Sequence, residues 1–406
     1  MYPAVCVAGI GCICAAGDTL QQAVDSMLRA ERHLGAAPIF ATTHAEPYPV
    51  FPVKKELSHY AFSSAGMRYM RTANLGLEAA HQAIEQSGID IEQLRTLKVG
   101  VCMGTTVGSS MDVEAFYADY RQGATPDMRP IDCFYNSNPA AVISTYFGFN
   151  GPQQTIVNAC SSGTDAIGTA AMWLRNGCCD VVLAGGADEL CRTTYNGFAA
   201  LQISSPQPCS PFSAERSGLN LGEGAAVLVL ARAEVIKQLA LAQPYGYVLG
   251  YGSGSDGWHL TAPHPEGRGL QQAVHEAIAD CADVSGRGVT LDRLAFVNTH
   301  GTGTKDNDRV EGLVLAQLLP KTPFHSTKGY TGHTLGAAGA IEAALTLEFL
   351  QRQQIPASAG FNVQDPAIAL SPVTSNTSFT GNIALSESLA FGGNNAALIL
   401  GIAEAS

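Results

Sequence analysis

Short apolar strands alternate with helical stretches along this chain, and the alternation runs through twice. Strand-like runs at Val5–Ala8, Val99–Met103, Gln154–Asn158 and Asp180–Ala184 are followed by a second series. That series is Tyr247–Gly250, Ala295–Thr299, His325–Thr327, Asn382–Ser386 and Ala396–Leu400. Helical patterns fill the gaps at Leu75–Gln86, Thr164–Asn176, Gly269–Asp280, Val310–Leu319 and Gly336–Gln353. Such an alternation builds α/β layers. Each series opens with a strand running into a Gly-rich turn, Ala8-Gly9-Ile10-Gly11 and Leu249-Gly250-Tyr251-Gly252. Each later places reactive residue types at a strand–turn–helix junction. The repetition predicts an internal duplication, with halves 1–245 and 246–406. No flexible linker separates them near Gln243–Gly246, so the halves are expected to share one body.

Composition excludes several alternatives. Of 406 residues, 46% are hydrophobic and only 14% charged, against about 25% charged in a typical domain. Such a chain buries a large core, which rules out wholesale disorder. The net charge of −12 argues against a general binder of nucleic acid or anionic membrane. The longest apolar runs, such as Ala225–Ala231, are far below the roughly 18 residues of a membrane span. The apolar start, Ala4–Gly17, has no positive n-region and is broken by Gly9 and Gly11, so it reads as a first strand and turn. Eleven cysteines in a chain of this size read as reduced thiols in a cytoplasmic protein. Cys12-x-Cys14 and Cys178-Cys179 lack the paired spacing of a zinc site, so no metal is expected.

Gly252-Ser253-Gly254-Ser255-Asp256-Gly257 fits the dinucleotide fingerprint in spelling. That fingerprint needs a helix to start at the turn and meet a pyrophosphate. Trp258–Pro265 follows instead, and Pro263 and Pro265 cannot belong to such a helix.

Four segments carry chemistry. In Val157-Asn158-Ala159-Cys160-Ser161-Ser162-Gly163 a strand ends in a sharp turn and small residues open a helix. A thiol at a helix N-terminus meets free amides and the helix dipole, which favour the thiolate. A buried structural cysteine at a crowded junction fits the same segment. Val297-Asn298-Thr299-His300-Gly301-Thr302-Gly303-Thr304 delivers a histidine to a Gly- and Thr-rich loop, where a structural histidine is the common alternative. Ser326-Thr327-Lys328-Gly329-Tyr330-Thr331-Gly332-His333 places a lysine and a histidine ahead of the small residues Gly336-Ala337-Ala338-Gly339. Ala390-Phe391-Gly392-Gly393-Asn394-Asn395 is a flexible, aromatic-bearing loop.

Together and in this order, these segments resemble the elongating β-ketoacyl-acyl carrier protein synthases of the thiolase superfamily, over nearly the whole chain. The resemblance implies a thiolase-like α/β fold, with two duplicated βαβ-type halves in a five-layered α-β-α-β-α arrangement. It implies catalysis by Cys160, His300, His333 and Lys328. Cys160 takes an acyl group from a carrier-protein thioester, and a malonyl thioester then loses CO₂ and attacks it. His300 and His333 stabilise the enolate oxygen, and Lys328 fixes His333. The amides of Cys160 and Phe391 hold the oxyanion, with Phe391 and Gly392 in the gating loop. Thr302 and Thr304 bind the pantetheine arm, and Val107 and Phe198 line the acyl pocket. Glu311 and Asp308 are supporting carboxylates; helix capping is their alternative role. Arg68, Arg71 and Arg129 face an acidic acyl carrier protein. No cofactor is implied, since phosphopantetheine arrives on the carrier. The partner in a dimer is a second copy or a ketosynthase-like subunit.

Departures from the family pattern point to a specialised pathway, such as polyene or polyketide-like chains. Leu389 and Ala390 stand where Phe and Gly are usual, and Glu387 stands where Asn is common. Lys305-Asp306-Asn307 replaces a stretch often rich in Pro and Gly, and Gln202–Phe212 is short. Rival readings lack their residues. A thiolase needs a second cysteine near the C-terminus, and the last one here is Cys281. An initiating synthase uses Cys-His-Asn. A chain-length factor lacks the nucleophile that Cys160 supplies. A Cys–His hydrolase would need an acid or amide orienting one histidine and an open water path.

Overall fold

A computed structural model describes residues 3–58, 60, 67–241, 243–281, 283 and 285–403. The first half supplies five strands: β1 (Val5–Cys14), β2 (Val99–Gly104), β3 (Gln153–Ile156), β4 (Val181–Asp188) and β5 (Gly224–Ala231). The second supplies β6 (Gly246–Ser255), β7 (Val297–Asn298), β8 (Phe324–His325), a small pair β9 (Gln354–Ile355) and β10 (Thr377–Ser378), then β11 (Ile383–Ala390) and β12 (Asn394–Gly401). Ten of them form one sheet in the order β3-β2-β4-β5-β1-β6-β12-β11-β7-β8. Read inward from its two edges, the order is the same on both sides: third, second, fourth, fifth and first strand of each half. The sequence-level duplication is therefore a topological one.

Packing makes five layers of this doubled unit. Along β5, Val227 and Val229 turn to an outer core shared with Leu77 of the helix Arg71–Ser87. Their neighbours Leu228 and Leu230 turn to a central core with Ile167 and Ala344, as the period-two alternation of strand side chains demands. On β12, Ile399 faces an outer core with Leu270 and Val274, while Leu398 and Leu400 face the central one. The central layer is the helix Ser162–Arg175 against the helix Ala338–Arg352. The latter is buried from Ala338 through Leu350, so its apolar residues run all round it. The two half-sheets are continuous, because β1 pairs antiparallel with β6, Val5 opposite Val248.

The Gly-rich strand openings have a packing cause. A Cβ on Gly11 would lie 1.9 Å from the Ala79 carbonyl oxygen, and one on Gly252 would lie 2.1 Å from that of Ala273. In both halves, glycine lets the outer helix close onto the first strand. This disposes of the dinucleotide spelling: Gly252 and Gly254 lie inside β6, and the next helix begins only at Arg268.

The sequence reading omits β5, whose residues are all buried. A strand covered on both faces has no polar alternation to betray it. The third strand of the second half is shorter than expected, ending at His325, and Lys328 opens a helical turn.

Candidate active site

The turn that carries Cys160 follows β3. Ala159 adopts a left-handed φ of 49°, an uncommon conformation for a residue with a Cβ. Surrounding hydrogen bonds hold it there: Ser162 Oγ and Thr106 Oγ1 donate to the Ala159 carbonyl at 2.6 and 3.0 Å. Asp165, in the first turn of the following helix, accepts from Asn158 Nδ2, Ser161 Oγ and the Tyr251 hydroxyl. Cys160 thus stands two residues before the helix, in the central layer, where both halves meet.

The equivalent junction of the second half brings in the other groups. His333 Nε2 lies 3.0 Å from Cys160 Sγ. His300, at the start of the loop after β7, sets its ring edge-on to His333 at 5.1 Å. The Cys160 sulfur and one nitrogen of each imidazole all lie within 4.8 Å of one another. All three residues line a cavity of about 690 Å³.

Electrostatics set the protonation states. Burial, then the Lys328 ammonium, holds both imidazoles well below their ordinary value, so both are neutral at physiological pH. Burial pushes the Cys160 thiol up to about 11, against the Lys328 charge and an amide hydrogen bond from Phe391. This corrects the expectation of a resting thiolate. The desolvation of a buried anion outweighs the helix terminus, and the thiol is protonated beside a neutral imidazole.

Lys328 is also placed differently from expectation. Its ammonium donates to His300 Nδ1 at 3.1 Å and to Glu342, and the partner it fixes is His300, not His333. Because Nδ1 of His300 accepts, its proton resides on Nε2. Glu342 is buried and pushed up to about 7 by that burial, with Lys328 opposing.

Two carboxylates hold the histidine loop. Glu311 accepts the amides of His300 and Gly301 at 2.5 and 2.8 Å. Asp308 accepts from Gly303 and Phe212, and Arg216 stands 3.7 Å away. Thr302 and Thr304 share a 2.9 Å hydrogen bond and line the cavity. Phe391 stacks on Phe198 at 5.6 Å across the same cavity. Gly392, with φ 85°, turns the loop, and its amide is tied to the Leu260 carbonyl.

The remaining expected residues scatter. Val107 does not itself line the cavity; it packs with a small cluster around Leu190 and Tyr195, of which Phe198 and Leu219 do line it. The Arg71 guanidinium makes a bidentate ion pair with buried Glu223, at 2.8 and 2.5 Å, so it braces the interior instead of facing a partner. Arg68 is exposed, and Arg129 is exposed beside Asp127.

The sequence reading missed Glu342 and Asp188. Glu342 is one of two acids, with Glu348, in the otherwise apolar helical stretch after Gly336, which was a legible anomaly. Asp188 ends β4 and collects Thr105 Oγ1 and the amides of Thr106, Val107 and Gly336. It ties the turn after β2 to the one after His333, and burial raises it to about 6. Only the folded topology makes those segments neighbours.

Comparisons with known proteins agree with this geometry. The chain matches the description "Beta-ketoacyl synthase, N-terminal domain" over residues 3–235 and "Beta-ketoacyl synthase, C-terminal domain" over residues 245–362. It is 29% identical to the 3-oxoacyl-[acyl-carrier-protein] synthase 2 of Synechocystis, with 97% of each chain covered. The solved ishigamide ketosynthase/chain length factor superposes with a TM-score of 0.90 at 25% identity, covering 99% of this chain and 100% of that one. A ketosynthase in complex with its chain length factor, from Xenorhabdus doucetiae, gives a TM-score of 0.84 at 30% identity, covering 99% and 98%. All eleven cysteines are free, and no described helix is long and apolar enough to cross a membrane.

Proposed function

This chain belongs to the β-ketoacyl synthase family, and we propose that it performs a decarboxylative Claisen condensation through Cys160, His300, His333 and Lys328. The arrangement that carries the proposal is one sulfur and two neutral imidazoles within 4.8 Å at a cavity wall.

The thiol of Cys160 passes its proton to His333 as its sulfur attacks the thioester of an acyl carrier protein. The carrier thiolate leaves and takes that proton. A malonyl thioester then enters and loses CO₂, and the electron pair collects on the thioester oxygen. Neutral His300 donates its Nε2–H to that oxygen, and neutral His333 does the same after its ring proton has moved from Nδ1 to Nε2 through solvent. The enolate carbon attacks the acyl–Cys160 carbonyl, whose oxyanion the Phe391 amide receives. Carbon–sulfur cleavage releases the 3-oxoacyl thioester, and Cys160 regains a proton from solvent. Thr302 and Thr304 bind the pantetheine arm, which arrives on the carrier. Residues 1–245 bring the nucleophile and residues 246–406 the two histidines.

The terminal strand β3 has an unpaired outer edge among the described residues. The helices Glu114–Arg121 and Arg129–Tyr135 expose Tyr117, Tyr120, Phe134 and Tyr135. An open strand edge and an exposed aromatic surface favour a dimer. The chain-length-factor complex of the Xenorhabdus relative supports a second assembly, in which this chain is the catalytic half of a heterodimer in a polyene or polyketide-like pathway. The cytoplasm suits its carrier-bound substrates.

Product analysis with malonyl carrier protein and acyl donors of graded length tests the function. A 3-oxoacyl carrier protein two carbons longer than the donor is expected, and release of free acid alone would instead reveal a hydrolase. A partner-dependent product would select the heterodimer. Arg68→Glu is expected to raise KM for acyl carrier protein about threefold to tenfold, on the scale of one steering charge. It should leave turnover of a small acyl thioester unchanged, and equal KM values for the carrier would remove Arg68 from docking.

A further inference from the structure

Glu387 lies on β11 opposite Ala397 of β12 and is 1% exposed. Among the described residues, neither of its oxygens accepts a hydrogen bond from an amide, hydroxyl, lysine or arginine. Its carboxyl is in hydrogen-bonding contact with that of Glu311 and feels Glu342 as well. The Lys328 ammonium is already committed to Glu342 and His300. From β7, Asn298 spends its amide on the Glu342 carbonyl and on Thr346. Asp308, the other acid near Glu311, has Arg216.

Two carboxylates in contact inside a core cannot both be ionised. Glu311 already receives the amides of His300 and Gly301 and the Asn307 side chain, all of which favour its anion. The proton between the pair therefore belongs to Glu387. We infer that Glu387 is a positioning residue that donates its carboxyl proton to Glu311 and, through Glu311, holds the His300–Gly301 backbone for decarboxylation. Burial and the neighbouring Glu311 drive its ionisation well above the ordinary carboxyl range. The direction of its pH effect follows. The acid form is present at neutral pH, and rising pH strips the proton and sets two anions against each other. The His300 loop then loses its anchor. His333 is held from another strand connection, so acyl transfer to Cys160 is spared.

The inference rests on the condensation reading, and its test separates the two. Wild type, Glu387→Gln and Glu387→Ala are compared from mildly acidic to alkaline pH in two single-step assays. One is Cys160 acylation by intact mass, and the other is CO₂ release from malonyl carrier protein. Glu387→Gln keeps a donor that cannot ionise, so it should decarboxylate at near wild-type rate and lose the alkaline fall seen in wild type. Glu387→Ala should decarboxylate ~10- to 100-fold slower, the scale of a small misplacement of a catalytic group, with acylation little changed. An alkaline fall in Glu387→Gln identical to wild type would overturn the inference, as would equal slowing of both steps in Glu387→Ala. Should the alanine variant not fold, the isosteric glutamine variant decides alone. A wild type that never acylates Cys160 would sink the condensation reading instead.

Discussion

Cys160→Ala will fold and will make no condensation product. The substitution removes one buried sulfur from a turn whose shape comes from other residues. The Asp165 carboxylate and the Ser162 and Thr106 hydroxyls all act on neighbouring backbone or side chains. A loss of about 1 kcal/mol of stability, typical of a single substitution, is expected, and a thermal melt will measure it. Turnover should drop by at least about 10⁴-fold, as when a covalent nucleophile is deleted. Intact mass after mixing wild type with an acyl thioester should show one adduct, mapping to Cys160 and absent from the variant. An adduct on any of the other ten cysteines would refute the assignment. Alkylation of wild type adds a second readout. Because the thiol is pushed up to about 11, reactivity toward a neutral alkylating agent should keep climbing through alkaline pH. A plateau near neutrality would restore the resting thiolate that the helix terminus alone suggested.

Much of the architecture was written in local pattern. The small residues around Cys160 and the Gly-rich histidine loop each predict a junction that the structure contains, whereas the turns expected at Gly9–Gly11 and Gly250–Gly252 are not turns: those glycines lie inside β1 and β6, where they admit a helix. The fully buried β5 left no alternation to read, and the two-residue strands β7 and β8 are shorter than any periodicity can bound. At the site, the four side chains proposed to be catalytic were legible because their neighbours are glycines, alanines and threonines, which leave room for chemistry. Their electrostatics were not. Whether Cys160 is charged depends on burial by segments nearly two hundred residues away. The hydrogen bond of Lys328 to His300 depends on how two loops from different strands converge. Arg71 shows the same limit: its attraction to Glu223, 152 positions later, overrides any guess from local charge.

His300→Ala and His333→Ala should both cripple decarboxylation, and they should differ in the preceding step. Each imidazole, itself buried, offers one donor to an oxygen that gains a full negative charge. Removing one such donor costs about 10²- to 10³-fold in analogous oxyanion sites. Their contacts divide the rest of the work. His333 Nε2 touches the Cys160 sulfur at 3.0 Å and is the proposed base for the protonated thiol, so its loss should also slow acylation. His300 has its Nδ1 engaged by Lys328 and is not hydrogen-bonded to the sulfur. Its variant should therefore accumulate acyl–Cys160 to one equivalent and stop there, with malonyl thioester unconsumed. Quenched-flow CO₂ release and intact mass on the same samples distinguish these states. Normal CO₂ release from both variants would remove the histidines from the mechanism, and full acylation in both would leave the Cys160 proton without an acceptor. The neutral state of both rings matters to this outcome. Burial and Lys328 keep them uncharged, so the His333 ring can accept the thiol proton at a vacant Nε2 in one half-reaction and, once its ring proton has shifted from Nδ1 to Nε2, donate a hydrogen bond to the enolate in the next. An imidazolium at His333 could do only the second.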